Sequence, residues 1–198
     1  MKKTLLLLLA VLCINLPAFS QKEETVANSS GIKGGFGGPY FLFSQAGGSG
    51  GGGAGGGGAF IINDFFIGGY GQGENFGRRR IGNRNYDVSL GGAGFWFGYA
   101  YPSYKLLHLY TSLKVGWGSA TLNRKNEEPF DVPDYSDGVF MFSPEIGAEV
   151  NLLHWFRLAF TGGYRFVGGL NTLPGFNSND FNSPTLAITL RFGAFGYK

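Results

Sequence analysis

The chain has 198 residues with 36 glycines, 17% aromatic residues and a single cysteine. Its length suits one domain, and its glycine content is far above the usual share of about 7%. The formal charge of +3 includes Lys2 and Lys3; without them the chain is nearly neutral, so nucleic acid has no electrostatic footing as a partner.

Met1-Lys2-Lys3 forms a basic start, Leu5 to Pro17 an apolar stretch, and Ala18-Phe19-Ser20 a small-residue site. This is the pattern of a secretory signal, residues 1–20, cleaved before Gln21. The apolar run is shorter than the roughly 20 residues a spanning helix needs. Cys13 leaves with the signal, and Leu12 before it is too bulky for a lipoprotein site. The mature chain is then without thiols, so no disulfide and no Cys-based metal site is expected. Gln21 to Lys33 is polar and unpatterned, a lead-in to a barrel over residues 34–198.

Eight segments follow with strand character: Gly34–Ser44, Gly55–Ile62, Phe65–Gln72, Tyr86–Ala100, Lys105–Thr121, Gly138–Leu152, Phe156–Gly168 and Thr185–Phe195. Links after the second, fourth and sixth are short: Asn63-Asp64, Tyr101-Pro102-Ser103 and Leu153-His154-Trp155. Those after the first, third, fifth and seventh are long, polar and rich in Gly, Asn and charge. An even strand count with short and long links in turn predicts an all-β fold: a closed antiparallel up-and-down eight-stranded transmembrane β-barrel of the cell outer membrane, with short periplasmic turns and long external loops.

Period-two patterning is clearest near the C-terminus. Ile146, Ala148, Val150 and Leu152 oppose Glu145, Gly147, Glu149 and Asn151. Phe156, Leu158, Phe160, Tyr164 and Phe166 oppose Arg157, Ala159, Thr161, Gly163 and Arg165. Leu186, Ile188, Leu190 and Phe192 oppose Ala187, Thr189, Arg191 and Gly193. The charges share one face, which predicts a lumen network of Lys114, Glu145, Glu149, Arg157, Arg165 and Arg191. The turn register sets Glu149 diagonally from Arg157 and Glu145 diagonally from Arg165. A lumen this narrow cannot hydrate six charges separately, so they are expected to interlock. The faces of the first and fourth strands are not settled by pattern: Pro39 lacks a ladder donor, and Gly91, Gly92 and Gly94 interrupt the fourth. Phe65, Tyr99, Tyr101, Tyr104, Trp155 and Phe195 are expected at the short-turn rim. Tyr70, Tyr86, Trp117, Tyr164 and Phe166 are expected near the loop rim.

Binding chemistry, if any, belongs to the external loops. Gly47 to Gly58 looks like a flexible linker partly entering the second strand. Arg78, Arg79, Arg80 and Arg84 form a basic cluster suited to lipopolysaccharide phosphates through charge-assisted hydrogen bonds, or simply to solvent. Glu127, Glu128, Asp131, Asp134 and Asp137 offer carboxylates to Ca²⁺ but lack EF-hand order, and pairing with the arginines is the simpler expectation. Phe176 and Phe181 in the fourth loop are expected to be exposed to lipid or a partner.

Enzyme motifs are weak. Gly69-Tyr70-Gly71-Gln72-Gly73 has no following helix or ribose-binding acid, and no Walker, HExxH or zinc spacing occurs. His108 and Ser112 share a face of the fifth strand, but four strand residues separate them by about 13 Å, too far for direct proton transfer. Three functional readings result. The first is a catalytically inactive, charge-plugged barrel of envelope integrity or surface contact, without cofactor or metal. The second is a lipid-modifying acyl hydrolase; the third is a soluble lipocalin-like barrel with inverted faces and an apolar ligand.

The phrases Pro144-Glu145-Ile146-Gly147-Ala148-Glu149, Gly163-Tyr164-Arg165-Phe166 and Leu190-Arg191-Phe192-Gly193 resemble uncharacterised outer-membrane barrels of Bacteroidota-type bacteria. The pattern over Lys33 to Phe195 resembles the small eight-stranded barrels of the OmpA/OmpX architectural type. That resemblance implies outer-membrane lipid and lipopolysaccharide as surroundings. It also implies insertion by the barrel-assembly machinery, which reads a C-terminal strand ending in an aromatic. Here Gly196-Tyr197-Lys198 follow Phe195, a departure from a strict terminal Phe.

Overall fold

A computed structural model describes residues 31–124 and 134–196. The expected signal, most of the lead-in, and Glu127, Glu128 and Asp131 lie outside the described residues. Eight strands account for most of the rest: β1 (Ile32–Ala46), β2 (Ser49–Ile62), β3 (Phe65–Ile81), β4 (Arg84–Tyr101), β5 (Leu107–Arg124), β6 (Tyr135–Leu153), β7 (Phe156–Gly168) and β8 (Ser183–Ala194). Each pairs antiparallel with its neighbours in chain order, and β8 returns to β1 to close the barrel. Closure leaves no free sheet edge. β1 begins at Ile32, inside the segment expected to be lead-in.

At one end the links are short, as the pattern predicts: Asn63-Asp64 between β2 and β3, residues 102–106 between β4 and β5, and His154-Trp155 between β6 and β7. The other end departs from expectation. The links after β1 and β3 are two-residue turns, Gly47-Gly48 and Gly82-Asn83, because the strands run on through the sequence expected to be loop. Gly47, Gly48 and Gly82 take positive φ of 54°, 81° and 62°, which a two-residue hairpin requires and glycine accepts without strain. The Gly-rich stretch expected as linker is therefore β2 itself. β3 to β6 have 17 to 19 residues each, well beyond the roughly 9–11 that cross a bilayer, and their polar outer thirds form a crest.

The faces follow the charges. Glu145, Glu149, Arg157, Arg165, Arg191 and Lys114 are all buried inside, while Phe60 (67% exposed), Phe95, Ile146, Phe160 and Leu186 (64%) face outward. A soluble barrel with an apolar interior is the inverse of this arrangement. The two unsettled strands now resolve. β1 sends Phe36, Tyr40, Leu42 and Ser44 inward and Phe41 and Phe43 outward; β4 sends Tyr86, Val88, Leu90, Trp96 and Ala100 inward.

Lumen-facing glycines set the interior packing. A Cβ at Gly55 would stand 2.5 Å from the Tyr40 ring, and one at Gly98 2.1 Å from Phe66. Large aromatics thus lie down within the narrow lumen only because the residue paired with each on the adjoining strand has no side chain. Two apolar clusters result. One, toward the short-turn end, centres on Phe36, Tyr40, Phe66, Trp96 and Tyr110. The other, inside the crest, includes Phe76, Tyr86, Leu90, Leu122 and Met141.

The β7–β8 connection completes the second cluster. It carries a 3-10 turn, Ser178–Phe181, closed by a reciprocal capping box between Asn177 and Asp180. Leu170, Leu173 and Phe181 are buried against the inner face of the crest, with Phe176 packed partly beside them. Phe176 and Phe181, expected to be exposed, instead form the underside of a cap over the outer mouth.

Candidate functional site: the filled lumen and the crest

Ion pairs and hydrogen bonds fill the lumen in three groups along its axis. Toward the short-turn end, Glu149 accepts from three cationic or polar groups. Arg157 Nη1 lies at 3.1 Å, His108 Nε2 at 2.9 Å, and Arg191 Nη1 bonds the other carboxylate oxygen. The register that places Glu149 opposite Ala159 makes Arg157 its diagonal neighbour, as the turn arithmetic predicts. Positive charge exceeds negative here, and aromatic faces take up the difference. The Arg191 guanidinium lies 3.6 Å from the Phe36 ring centre, and that of Arg157 lies 3.9 Å from Phe195. Phe195, expected among the interface aromatics of the short-turn rim, is at that end but turns inward and closes it.

At mid-height Lys114 Nζ donates to Glu145 Oε1 at 2.7 Å, and Thr161 Oγ1 donates to the other oxygen at 3.3 Å. Lys114 also stands 4.4 Å over the Tyr40 ring. The register does set Arg165 diagonally from Glu145, as expected, but the two side chains do not pair. Arg165 lies two residues further along β7 and reaches across the lumen to Glu74 at 2.5 Å. Ser44 hydroxyl donates to the remaining Glu74 oxygen. Every nitrogen of the Arg165 guanidinium is used: Nε donates to the Phe181 carbonyl, Nη1 to Glu74 and Ser44, Nη2 to the Gln45 carbonyl and Ser183. One side chain therefore ties β7 to β1, β3 and the cap.

Glu74 and Ser44 escaped the sequence reading because Glu74 fell in the expected second loop. The signal was present: Tyr70, Gln72, Glu74 and Phe76 alternate with Gly69, Gly71, Gly73 and Asn75, a strand pattern hidden by glycine on its outer face. His108 lies in the lumen, and its ring nitrogens face Glu149 and the Lys105 carbonyl. Ser112 accepts from the Trp96 indole at 2.8 Å instead of engaging His108. Among the described residues, His108, Ser112 and Glu149 are not joined into a Ser/His/acid relay.

The basic cluster follows a β-bulge, with Gly77 at φ 72° between Asn75 and Arg78. Beyond it Arg78 pairs in register with Asp87, Arg79 with Tyr86 and Arg80 with Asn85. Arg79 points inward, donating to the Gly47 carbonyl at 2.6 Å and covering Phe176. Arg78, Arg80 and Arg84 are exposed, with Asp87 3.6 Å from Arg78. Of the five loop acids, Asp134 binds Arg124 at 3.1 Å. Asp137, on the crest beyond the apolar belt, accepts the backbone N–H groups of Thr172 and Asn171, each at 2.5 Å. Those bonds, that from Thr172 first, hold its carboxyl below the ordinary value of 3.8. Among the described residues no three metal-ligating side chains cluster, and no helix is long and apolar enough to cross a membrane, which says nothing of crossing by strands.

This is the architecture of a small, filled, closed barrel, and solved structures share it. The chain is similar to Neisserial surface protein A at 12% identity and a TM-score of 0.58, over 80% of this chain and 95% of that one. It also matches Ail, the attachment invasion locus protein of Yersinia pestis, alone and in complex with the heparin analogue sucrose octasulfate. Those likenesses have 14% identity and a TM-score of 0.43, over 81% of this chain and 96% of that one. The first likeness is one of fold: an eight-stranded antiparallel barrel of the kind found in the outer membrane. It lends nothing to a Bacteroidota affiliation. No protein-family model matches the chain, and no curated protein matches it in sequence.

Proposed function

We propose that the chain is an exported outer-membrane barrel whose lumen is closed by side chains, and that it serves envelope integrity or surface contact without transport or catalysis. The observation that carries this reading is the inversion of polarity across the wall. Eight ionisable side chains, Glu74, His108, Lys114, Glu145, Glu149, Arg157, Arg165 and Arg191, are paired inside in three groups, and rings and aliphatic chains are exposed outside. In water that outer face would be a very large apolar patch; in a bilayer it is matched to its solvent. Ion pairs of this kind leave no open path for solute, since Phe195 closes one end and the cap the other. Residues 1–20 act as the export signal in this reading, and insertion falls to the barrel-assembly machinery.

The test is fractionation followed by gels with and without boiling. Recovery with the outer membrane, and a folded band that shifts on boiling, is expected. Recovery in the soluble periplasm without a shift would overturn the proposal. Reconstitution in planar bilayers is expected to give no steady conductance above background.

A further inference from the structure

The β4–β5 link, residues 102–106, is tied to the rest of the short-turn end from three directions. Asn151 on β6 donates from Nδ2 to the Lys105 and Ser103 carbonyls at 2.8 and 3.0 Å, and its backbone N–H donates to the Leu106 carbonyl at 2.8 Å. Ser103 Oγ donates to Asp64 Oδ1, in the β2–β3 turn, at 3.0 Å. The third tie starts in the lumen. His108 Nδ1 stands 3.0 Å from the Lys105 carbonyl oxygen, while Nε2 stands 2.9 Å from Glu149 Oε1. One ring thus joins the charged interior to the link.

Neither oxygen has a proton to give. A carbonyl only accepts, and Glu149, with Arg157 on one oxygen and Arg191 on the other, is a carboxylate. A neutral imidazole has one N–H and one bare lone pair. Whichever tautomer formed, that lone pair would be set against an oxygen at hydrogen-bond distance. Only the imidazolium donates from both nitrogens. The His108 side chain is fully buried, so bulk solvent reaches neither nitrogen. The charged and titratable groups around it are Glu149 from β6, Arg157 from β7, Arg191 from β8 and, on its own strand, Tyr110. Asp64 joins from the β2–β3 turn through Ser103. The two guanidiniums oppose a third cation, so the second proton is held by the two bonds themselves and should leave when either acceptor moves away.

We propose that His108 is an imidazolium that works as a proton-dependent clasp, holding the β4–β5 link to the charged lumen. Proton and closed link stabilise each other by linkage. The clasp is complete while the ring carries both protons, and it loses one of its two bonds as pH rises and the ring is deprotonated. Alkaline conditions therefore loosen the short-turn end first. The cap at the other end, residues 169–182, contains no histidine and should not follow.

The test uses the full chain folded in vesicles and carrying His154→Gln, which leaves His108 as its one histidine; His154 itself lies exposed in the β6–β7 turn. Nitrogen-15 spectra are expected to show both ring nitrogens protonated at neutral pH and one of them bare at alkaline pH. Hydrogen exchange at the Lys105 and Asn151 amides, corrected for intrinsic rates, should lose about tenfold in protection over the same pH interval, the effect of one charge-assisted bond. Protection across residues 169–182 should hold. His108→Gln, whose single amide nitrogen cannot occupy both ring-nitrogen positions, should show the reduced protection already at neutral pH and no further loss as pH rises. If that variant fails to fold, with no boiling-induced gel shift, the spectra and exchange of the His108 chain decide alone. A ring with one bare nitrogen in the folded barrel at neutral pH would sink the idea. So would a ring that titrates with no change in protection, or a Gln variant with the protection and pH response of the His108 chain. An equal loss across the cap would also count against it, since the barrel would then be loosening everywhere.

Discussion

Glu149 is a fully buried anion facing Arg157, Arg191 and His108, and its removal leaves cations in the interior with no carboxylate to meet. Breaking a buried pair from one side costs about 3–5 kcal/mol. Glu149→Gln is therefore expected to lower the urea-unfolding free energy of the vesicle-folded barrel by that amount; an unchanged midpoint would mean the charges are held by the aromatic faces alone. Glycine offers a paired test. Gly55→Val should prevent folding, since its Cβ would collide with Tyr40 and with the Gly71 carbonyl at 2.5 Å, while Gly73→Val, on the same sheet but facing outward, should fold with a change within about 0.5 kcal/mol. Asp137 gives a pH dependence. Its carboxyl is held below 3.8 by the Thr172 and Asn171 N–H groups, so its contribution is present above that value and is lost as pH falls through the lower, folded value. Protection of those two amides against hydrogen exchange, corrected for intrinsic rates, should be constant above the ordinary carboxylate range and fall only under stronger acid. Asp137→Asn should weaken it at neutral pH.

At the scale of elements, legibility depended on how much side chain each strand carries. β6, β7 and β8 can be read residue by residue, because large apolar groups on one face oppose charged or small ones on the other over most of each strand. β2 and the outer half of β3 could not. Period-two reasoning needs a contrast between faces, and glycine on one face or both erases it. The Gly-rich stretch therefore looked like a linker and Glu74 like a loop residue, which in turn sent Arg165 to the wrong partner. The cap was missed for a different reason. Its burial depends on β3 to β6 extending past the apolar belt to give it a wall, and no local pattern carries that. Arg165 is the element-level joint: Arg165→Ala should both strand Glu74 and release the Phe181 carbonyl, costing about 3–5 kcal/mol and raising exchange across residues 169–182. Arg165→Lys, which keeps the charge but not the planar fork, should restore only part of the loss.

For the molecule as a whole, strand number, antiparallel order and the inward sense of the charges were all legible, because each follows from alternation and link chemistry. Which charge meets which was legible only between adjacent strands. Contacts across the lumen, such as Glu74 with Arg165, depend on barrel diameter and stagger, which the sequence does not display locally.

β2 has a further consequence, for how the barrel assembles. Between Gly50 and Gly58 it carries almost no side chains, so a slide of two residues along either neighbour would cost it few contacts of its own. Strands of this kind hold their register weakly. What locks β2 is its two ends: Gly47-Gly48 joins it to β1, and Asn63-Asp64 joins it to β3, each with no slack. Sliding would have to lengthen one turn by as much as it shortened the other, and a two-residue turn has nothing to give. Alignment of this strand is thus stored in chain length at its ends. Two glycines inserted at each turn should let misaligned barrels accumulate, visible as a second folded band on unboiled gels, although no contact inside the wall had been touched.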